Sequence, residues 1–94
     1  MTQTTDKIIE YVAGVYGVTA DRIMSNSRKR TVVEARQMAM YLLVQRVGLS
    51  MVEVANLFNR THPTVSHSIT LIGYMIDHHA PTNKRYEILK ELMK

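Results

Sequence analysis

The sequence predicts an all-α fold: one compact domain of about five to six helices, with a tight helix-turn-helix in its second half. Three observations carry this. Apolar residues recur at spacings of three and four along most of the chain, as in Val65, Ile69, Ile72 and Ile76, where a strand needs alternation. Helix-starting residues stand just ahead of these stripes, most clearly Ser50 followed by Glu53. Finally, 94 residues at 46% hydrophobic suit a single core, so residues 1–94 read as one domain.

The elements follow in order. In "TTDKIIEYVAGVYGV", Ile8, Ile9, Val12 and Tyr16 recur at helical spacing, with Thr5 the expected cap and Gly17 the expected stop. A short helix is expected in "TADRIM", capped by Thr19 and carrying Asp21 in its electropositive first turn. The polar, cationic stretch "SNSRKRT" reads as a loop. Thr31-x-x-Glu34 then has the form of a capping box, and Ala35, Ala39, Leu42 and Leu43 mark a buried stripe that ends near Gly48.

Ser50-x-x-Glu53 is a second capping box, with Leu49 and Val54 at the positions of a hydrophobic staple. The helix it starts is short and stops around Asn59, a residue that tolerates the left-handed conformation of a helix end. Pro63 suits the first turn of the next helix, where its missing N–H has no intrahelical partner. The residue before a proline resists the α conformation, so His62 is expected as the cap or just outside it. A break at "HHAPT" precedes a last helix carrying Tyr86, Leu89 and Met93.

Two helices thus meet across a turn of about three or four residues centred on Asn59. The second buries its isoleucine stripe and leaves Thr64, Ser66, His67 and Thr70 off it. This is the layout of a helix-turn-helix whose second helix enters the major groove of DNA. Charge placement agrees with it. Net charge is +4, and no acidic residue lies between Glu53 and Asp77 or between Asp21 and Glu34, while Arg22, Arg28, Lys29 and Arg30 fall in the second window. A carboxylate close to phosphate repels it, so acid-free windows suit a nucleic-acid face.

Other classes are disfavoured. Cysteine is absent, which removes disulfides and thiolate metal sites and fits an intracellular, cytoplasmic setting. The N-terminus lacks the basic start and apolar run of a signal peptide, and no apolar run approaches the ~20 residues that span a bilayer. His62 and His67 are five apart and His78 and His79 adjacent, so neither pair shares a helix face, and no metal or cofactor is expected. No nucleophile–base–orienter grouping is visible, and the chain reads as a non-enzyme. The seven methionines, Met38 and Met40 among them, read as adaptable core filler.

"SRKRTVVEARQMAMYLL" followed by "LSMVEVANLFNRTHPTVSHSI" resembles the C-terminal DNA-binding domain of the bacterial replication initiator DnaA, over nearly the whole chain from about Thr5. Two motifs in order carry the resemblance: the basic loop leading into "ARQMAMYL", and "VANLFNRTHPTV" at the start of the recognition helix. It implies a Trp-repressor-like helix-turn-helix and double-stranded DNA as partner. Arg28 matches an arginine that enters the minor groove. Arg36 and Gln37 match a pair near DNA at the start of the central helix. His62 and Thr64 match residues reaching base edges and phosphates, and His67 a histidine one turn later.

Departures bear on base preference, not on fold. The turn is one residue shorter than the family's usual Gly-Gly-Arg-Asp-His-Thr-Thr, with Thr61 in place of the acid and Pro63 in place of a threonine. Val44, Thr70 and Leu71 occupy positions where the family often has basic residues. No GxxxxGK[ST] phosphate loop occurs, so the expectation is either an excised domain or a freestanding relative regulating replication or transcription.

The candidate contact set is Arg28, Lys29, Arg30, Arg36, Gln37, Arg60, Thr61, His62, Pro63, Thr64 and His67. The three loop cations supply sequence-independent attraction, and Arg28 can read a narrow minor groove. Alternatives stay open for some of the others. His62 is a base or phosphate contact or a simple N-cap, and His67 a contact or a packing residue. Gln37 pairs with adenine or touches only the backbone. A lone domain gains specificity by forming a homodimer. The competing functional class is a helical protein-interaction module that keeps the fold without DNA binding. Single-stranded nucleic acid ranks third, since one Phe and no Trp offer little for base stacking.

Overall fold

The computed structural model describes residues 3–94, and these form six α-helices and no strand. Helix α1 runs Gln3–Tyr16, α2 Ala20–Met24, α3 Arg30–Leu42, α4 Met51–Phe58, α5 His62–His78 and α6 Ala80–Leu92. Helix α3 is central and packs against α1, α2 and α5, while α5 also packs on α4 and α6, and α6 closes back onto α1. The core is built from the stripes read in the sequence. Val12, Ile23, Met38, Leu42, Val54, Val65, Ile72 and Leu89 are fully buried, with Phe58 and Met40 beside them.

Local chemistry explains most boundaries. Gly17 takes φ 67° at the end of α1. Thr19 caps α2, its hydroxyl accepting from the Arg22 N–H at 3.1 Å. Past Leu42, α3 widens into a π-helical turn, Leu43–Val47, which Gly48 ends at φ 94°. There the N–H groups of Gly48 and Leu49 both donate to the Leu43 carbonyl at 3.0 Å. The Ser50 box forms as expected: the Glu53 N–H donates to the Ser50 hydroxyl, and the Ser50 N–H to the Glu53 carboxylate, each at 3.0 Å. Hydrogen bonds from Ser50, its backbone N–H first, hold the Glu53 carboxyl below the ordinary carboxylate range.

Three cap expectations are corrected. Thr5 does not cap α1: the helix has already begun at Gln3, and Thr5 is buried within it. Thr31 and Glu34 form no capping box. Helix α3 begins at Arg30, Lys29 sits at its N-cap, and no side chain caps it. Glu34 turns inward instead, where a phenol, a hydroxyl and a guanidinium offer a carboxylate more than one exposed backbone N–H does. His62 is not the cap of α5 either. Thr61 takes that position, extended at φ −83° and ψ 157°, and its hydroxyl accepts from the Thr64 N–H at 3.4 Å. His62 is the first helical residue and Pro63 the second, so the steric pressure ahead of the proline does not expel His62 from the helix.

The break at "HHAPT" narrows to His79, which ends α5 and opens α6. The Asn83 amide donates to the Ile76 carbonyl at 3.0 Å and so satisfies one of the acceptors left over at the end of α5.

Asn59 closes α4 in the left-handed conformation, φ 53° and ψ 50°. The Arg60 N–H reaches back to the Ala55 carbonyl at 2.9 Å and the Asn59 N–H to Asn56 at 3.2 Å, a Schellman closure. A β-carbon disfavours this conformation, and Asn offsets part of the cost with local polar bonding. Asn59→Ala is therefore expected to lower the unfolding free energy by about 1 kcal/mol, while Asn59→Gly leaves it equal or slightly higher. Urea denaturation at constant m-value measures both.

Candidate nucleic-acid interface

The site is built from three pieces: the loop between α2 and α3, the first half of α3, and α5. The loop is knit by its own serines. The Ser25 hydroxyl donates to the Arg22 carbonyl at 2.6 Å and accepts from the Ser27 N–H at 3.1 Å, and the Ser27 hydroxyl accepts from the Lys29 N–H at 3.3 Å. These short bonds hold the backbone that carries exposed Arg28, Lys29 and Arg30.

Arg36 fastens the loop from beneath. It is only 7% exposed. Its Nε donates to the Ile23 carbonyl at 2.8 Å, and one terminal nitrogen to the Ser25 and Ser27 carbonyls at 2.7 and 3.1 Å. Arg60, in the turn before α5, donates to the Phe58 carbonyl at 2.8 Å and to the same Ser25 carbonyl at 3.0 Å. No carboxylate pairs with either guanidinium among the described residues. Burial, and after it the charge of Arg60, pulls Arg36 below the ordinary arginine value, although an arginine so placed stays cationic. The result is a concentration of positive charge where the loop meets the turn.

Helix α5 buries Val65, Ser68, Ile69, Ile72 and Ile76. Thr64, His67, Leu71 and Met75 follow one another at helical spacing and form a ridge beside that stripe. The ridge begins with the exposed side chains of Thr64 and His67. It runs into a cleft of about 580 Å³ lined by Arg28, Arg30, Val33, Glu34, Gln37, Leu71, Met75 and His79. Loop arginines, Gln37 and the α5 ridge thus border one depression.

Glu34 is the one acid of that lining, and its charge is answered from within: one carboxylate oxygen takes Tyr16 Oη at 2.6 Å, Thr82 Oγ1 at 3.2 Å and an Arg85 terminal nitrogen at 3.3 Å. His79 Nδ1 lies 2.8 Å from Thr82 Oγ1. Since that hydroxyl donates to Glu34, the histidine nitrogen is the donor.

The candidate residues sort by placement. Arg28, Arg30 and Gln37 line the cleft, whereas Lys29 borders a separate groove with Tyr16, Thr19 and Arg22. His62, Pro63, Thr64 and His67 are exposed on the first turns of α5, and Thr61 is exposed at its cap with its hydroxyl 2.9 Å from that of Thr64. Arg36 is turned into the body, and Arg60 is half-buried against the loop. Sequence reasoning missed Ser25 as the shared acceptor of two arginines, and His79 and Met75 as cleft residues. Nothing local marks these three, since their partners come from other elements. Among the described residues no three His, Asp or Glu side chains converge as metal ligands, and no helix is long and apolar enough to cross a membrane.

The family described as "Bacterial dnaA protein helix-turn-helix" matches residues 5–72, which take in the basic loop, α3, α4 and α5 as far as Ile72. The chain belongs to the bacterial DnaA helix-turn-helix family. The chromosomal replication initiator protein DnaA of Pseudothermotoga lettingae is 42% identical over 64 residues, 68% of this chain and 14% of that protein. DnaA 1 of Chlamydia pneumoniae is 44% identical over 71 residues, 76% of this chain and 15% of that protein. The DnaA of Aquifex aeolicus is 41% identical over 64 residues, 67% of this chain and 16% of that protein. This chain therefore spans 14–16% of the length of these DnaA relatives.

Proposed function

We propose that this domain binds double-stranded DNA in the cytoplasm, with the N-terminal half of α5 in the major groove and Arg28 of the basic loop at the adjacent minor groove. The observation that carries the proposal is the shared cleft: Arg28, Arg30 and Gln37 border the same depression as the α5 ridge, and its one acid is paired internally. The cleft itself meets α5 at Leu71 and Met75, and the short polar side chains Thr64 and His67 stand exposed farther toward the start of the same ridge, so loop cations and polar helix residues flank the path of a duplex backbone crossing between its two grooves. The first turn of α5 carries no acidic residue. Thr64 and His67 are the side chains placed to meet base edges or phosphates. The names of the DnaA relatives point to replication initiation as the process, either as an initiator's DNA-binding domain or as a freestanding regulator of replication or transcription.

Fluorescence anisotropy against a random duplex tests this. The logarithm of the association constant should fall linearly with the logarithm of salt, with a slope near about −5 if roughly six phosphates are neutralised. Arg28→Ala should make the slope shallower by about 0.9 and leave stability unchanged. A flat response at low and moderate salt would transfer the surface to a protein partner. Selection of bound sequences from a random pool defines the target, and the stoichiometry of the same titration shows whether one copy or a homodimer occupies it.

A further inference from the structure

We infer that Arg60 is a positioning residue, a latch that fixes the basic loop at a set distance and angle from α5, so that the loop and the recognition helix engage DNA as one rigid unit. This rests on the duplex-binding reading above. The turn that launches α5 and the loop that carries Arg28 are distant in sequence, and the Arg60–Ser25 hydrogen bond joins them across 35 residues. One terminal nitrogen of Arg60 is held by the carbonyl of Phe58, at the end of α4, and the other by the carbonyl of Ser25, in the loop. A planar guanidinium with both arms engaged is a stiff spacer; an ammonium offers donors from one atom only.

Ser25 is the right place to hold. Its carbonyl also accepts from Arg36 at 2.7 Å, and its hydroxyl organises the next two residues through the Ser27 N–H at 3.1 Å. A pull on Ser25 is therefore transmitted to the backbone bearing Arg28. Two cations meet at one carbonyl with no carboxylate between them, so Coulomb repulsion works against the junction in free protein.

The position in the turn also invites a simpler role, direct contact with phosphate, and the two roles separate experimentally. Wild type, Arg60→Ala, Arg60→Lys, Arg28→Ala and the Arg28/Arg60 double alanine variant are titrated with the duplex selected from a random pool, over a range of salt. The latch predicts that Arg60→Ala and Arg60→Lys both weaken binding by about tenfold with the salt slope unchanged. It also predicts that the double variant binds within about twofold of Arg28→Ala alone, because positioning Arg28 has no value once Arg28 is gone. Recovery of wild-type affinity by Arg60→Lys would overturn the latch. So would a slope shallower by about 0.9 in Arg60→Ala, or multiplied losses in the double variant.

A second arm needs no DNA. Amide hydrogen exchange at Ser27 and Lys29 should accelerate in both Arg60 variants while the slowest-exchanging core amides stay as in wild type. Unchanged exchange at those two amides would overturn the latch by itself. Failure of the wild-type protein to bind duplex would remove the DNA reading and leave this arm to decide the tether.

Discussion

Arg36→Met is expected to lower the unfolding free energy by about 3 kcal/mol and to weaken duplex binding by more than tenfold, although Arg36 is almost wholly buried. The methionine keeps most of the aliphatic volume but donates nothing to the carbonyls of Ile23, Ser25 and Ser27. A charged donor to a carbonyl contributes about 1.5–3 kcal/mol, and each acceptor left dry costs about 1–3 kcal/mol. Ser25 keeps its bond from Arg60, and Ser25 and Ser27 are half-buried, so water recovers part of the rest, which keeps the expected loss near the lower end of the sum. Arg36→Lys should recover only a minor part, because one nitrogen cannot serve acceptors that the guanidinium reaches from two. Urea midpoints at constant m-value measure the stability, and anisotropy the binding. A wild-type midpoint for Arg36→Met would show that the clamp contributes little to the fold. Arg28→Ala is the control that separates the two effects, since Arg28 is exposed and its removal should cost binding alone.

Glu34→Leu should cost about 2–4 kcal/mol, for a related reason on the other side of α3. Its carboxylate joins α1, α3 and α6 by accepting from Tyr16, Thr82 and Arg85. Leucine leaves the phenol of Tyr16, a residue only 6% exposed, without its acceptor and removes the partner of Arg85, which also lies 4.8 Å from the Tyr16 ring centre. The same cluster gives the fold an alkaline limit. Burial first, then the hydrogen bond to Glu34 and its negative charge, push the Tyr16 phenol well above its ordinary range.

Protonated tyrosine is neutral, so the folded state holds this proton more tightly than the unfolded chain does. The resulting stability is fully present below about pH 10, where the unfolded phenol titrates. Above that pH the unfolded chain ionises and the folded one does not, and stability falls by up to about 1.4 kcal/mol per pH unit. Tyr16→Phe loses the hydrogen bond but also this liability. It should be the less stable protein at pH 8, with the gap to wild type closing and then reversing between about pH 10 and 11.5. Urea midpoints of the pair over that range decide it, and a gap independent of pH would show that Tyr16 ionises freely.

These two residues mark where the sequence stopped being legible. Thr31-x-x-Glu34 has the spacing of a capping box as fully as Ser50-x-x-Glu53 does, yet only the second forms. Both share the local pattern, and what differs is the competition. Glu53 is exposed and has nothing better than its own helix start, whereas Glu34 faces three donors from α1 and α6. Arg36 likewise reads as one more cation in a basic segment, and its sequence gives no sign that carbonyls nine to thirteen residues back will take up its donors. Thr61 displaced His62 as the cap of α5 because its hydroxyl reaches the Thr64 N–H while Pro63 already supplies the helical φ of the first turn.

What the sequence determined by itself lies within about one helical turn: the apolar stripes, the Ser50 box, the left-handed ends at Gly17, Gly48 and Asn59, and the acid-free windows around the basic loop and α5. Such features depend on neighbours three or four residues away, and the order of residues fixes those neighbours. Tertiary structure alone decided which cations stay exposed and which become struts. Apart from Phe58, two residues from Arg60, the partners of Glu34, Arg36 and Arg60 lie between 9 and 51 residues distant in the chain. A charged side chain takes the strongest set of partners its folded surroundings offer, and those surroundings exist only once the helices have packed.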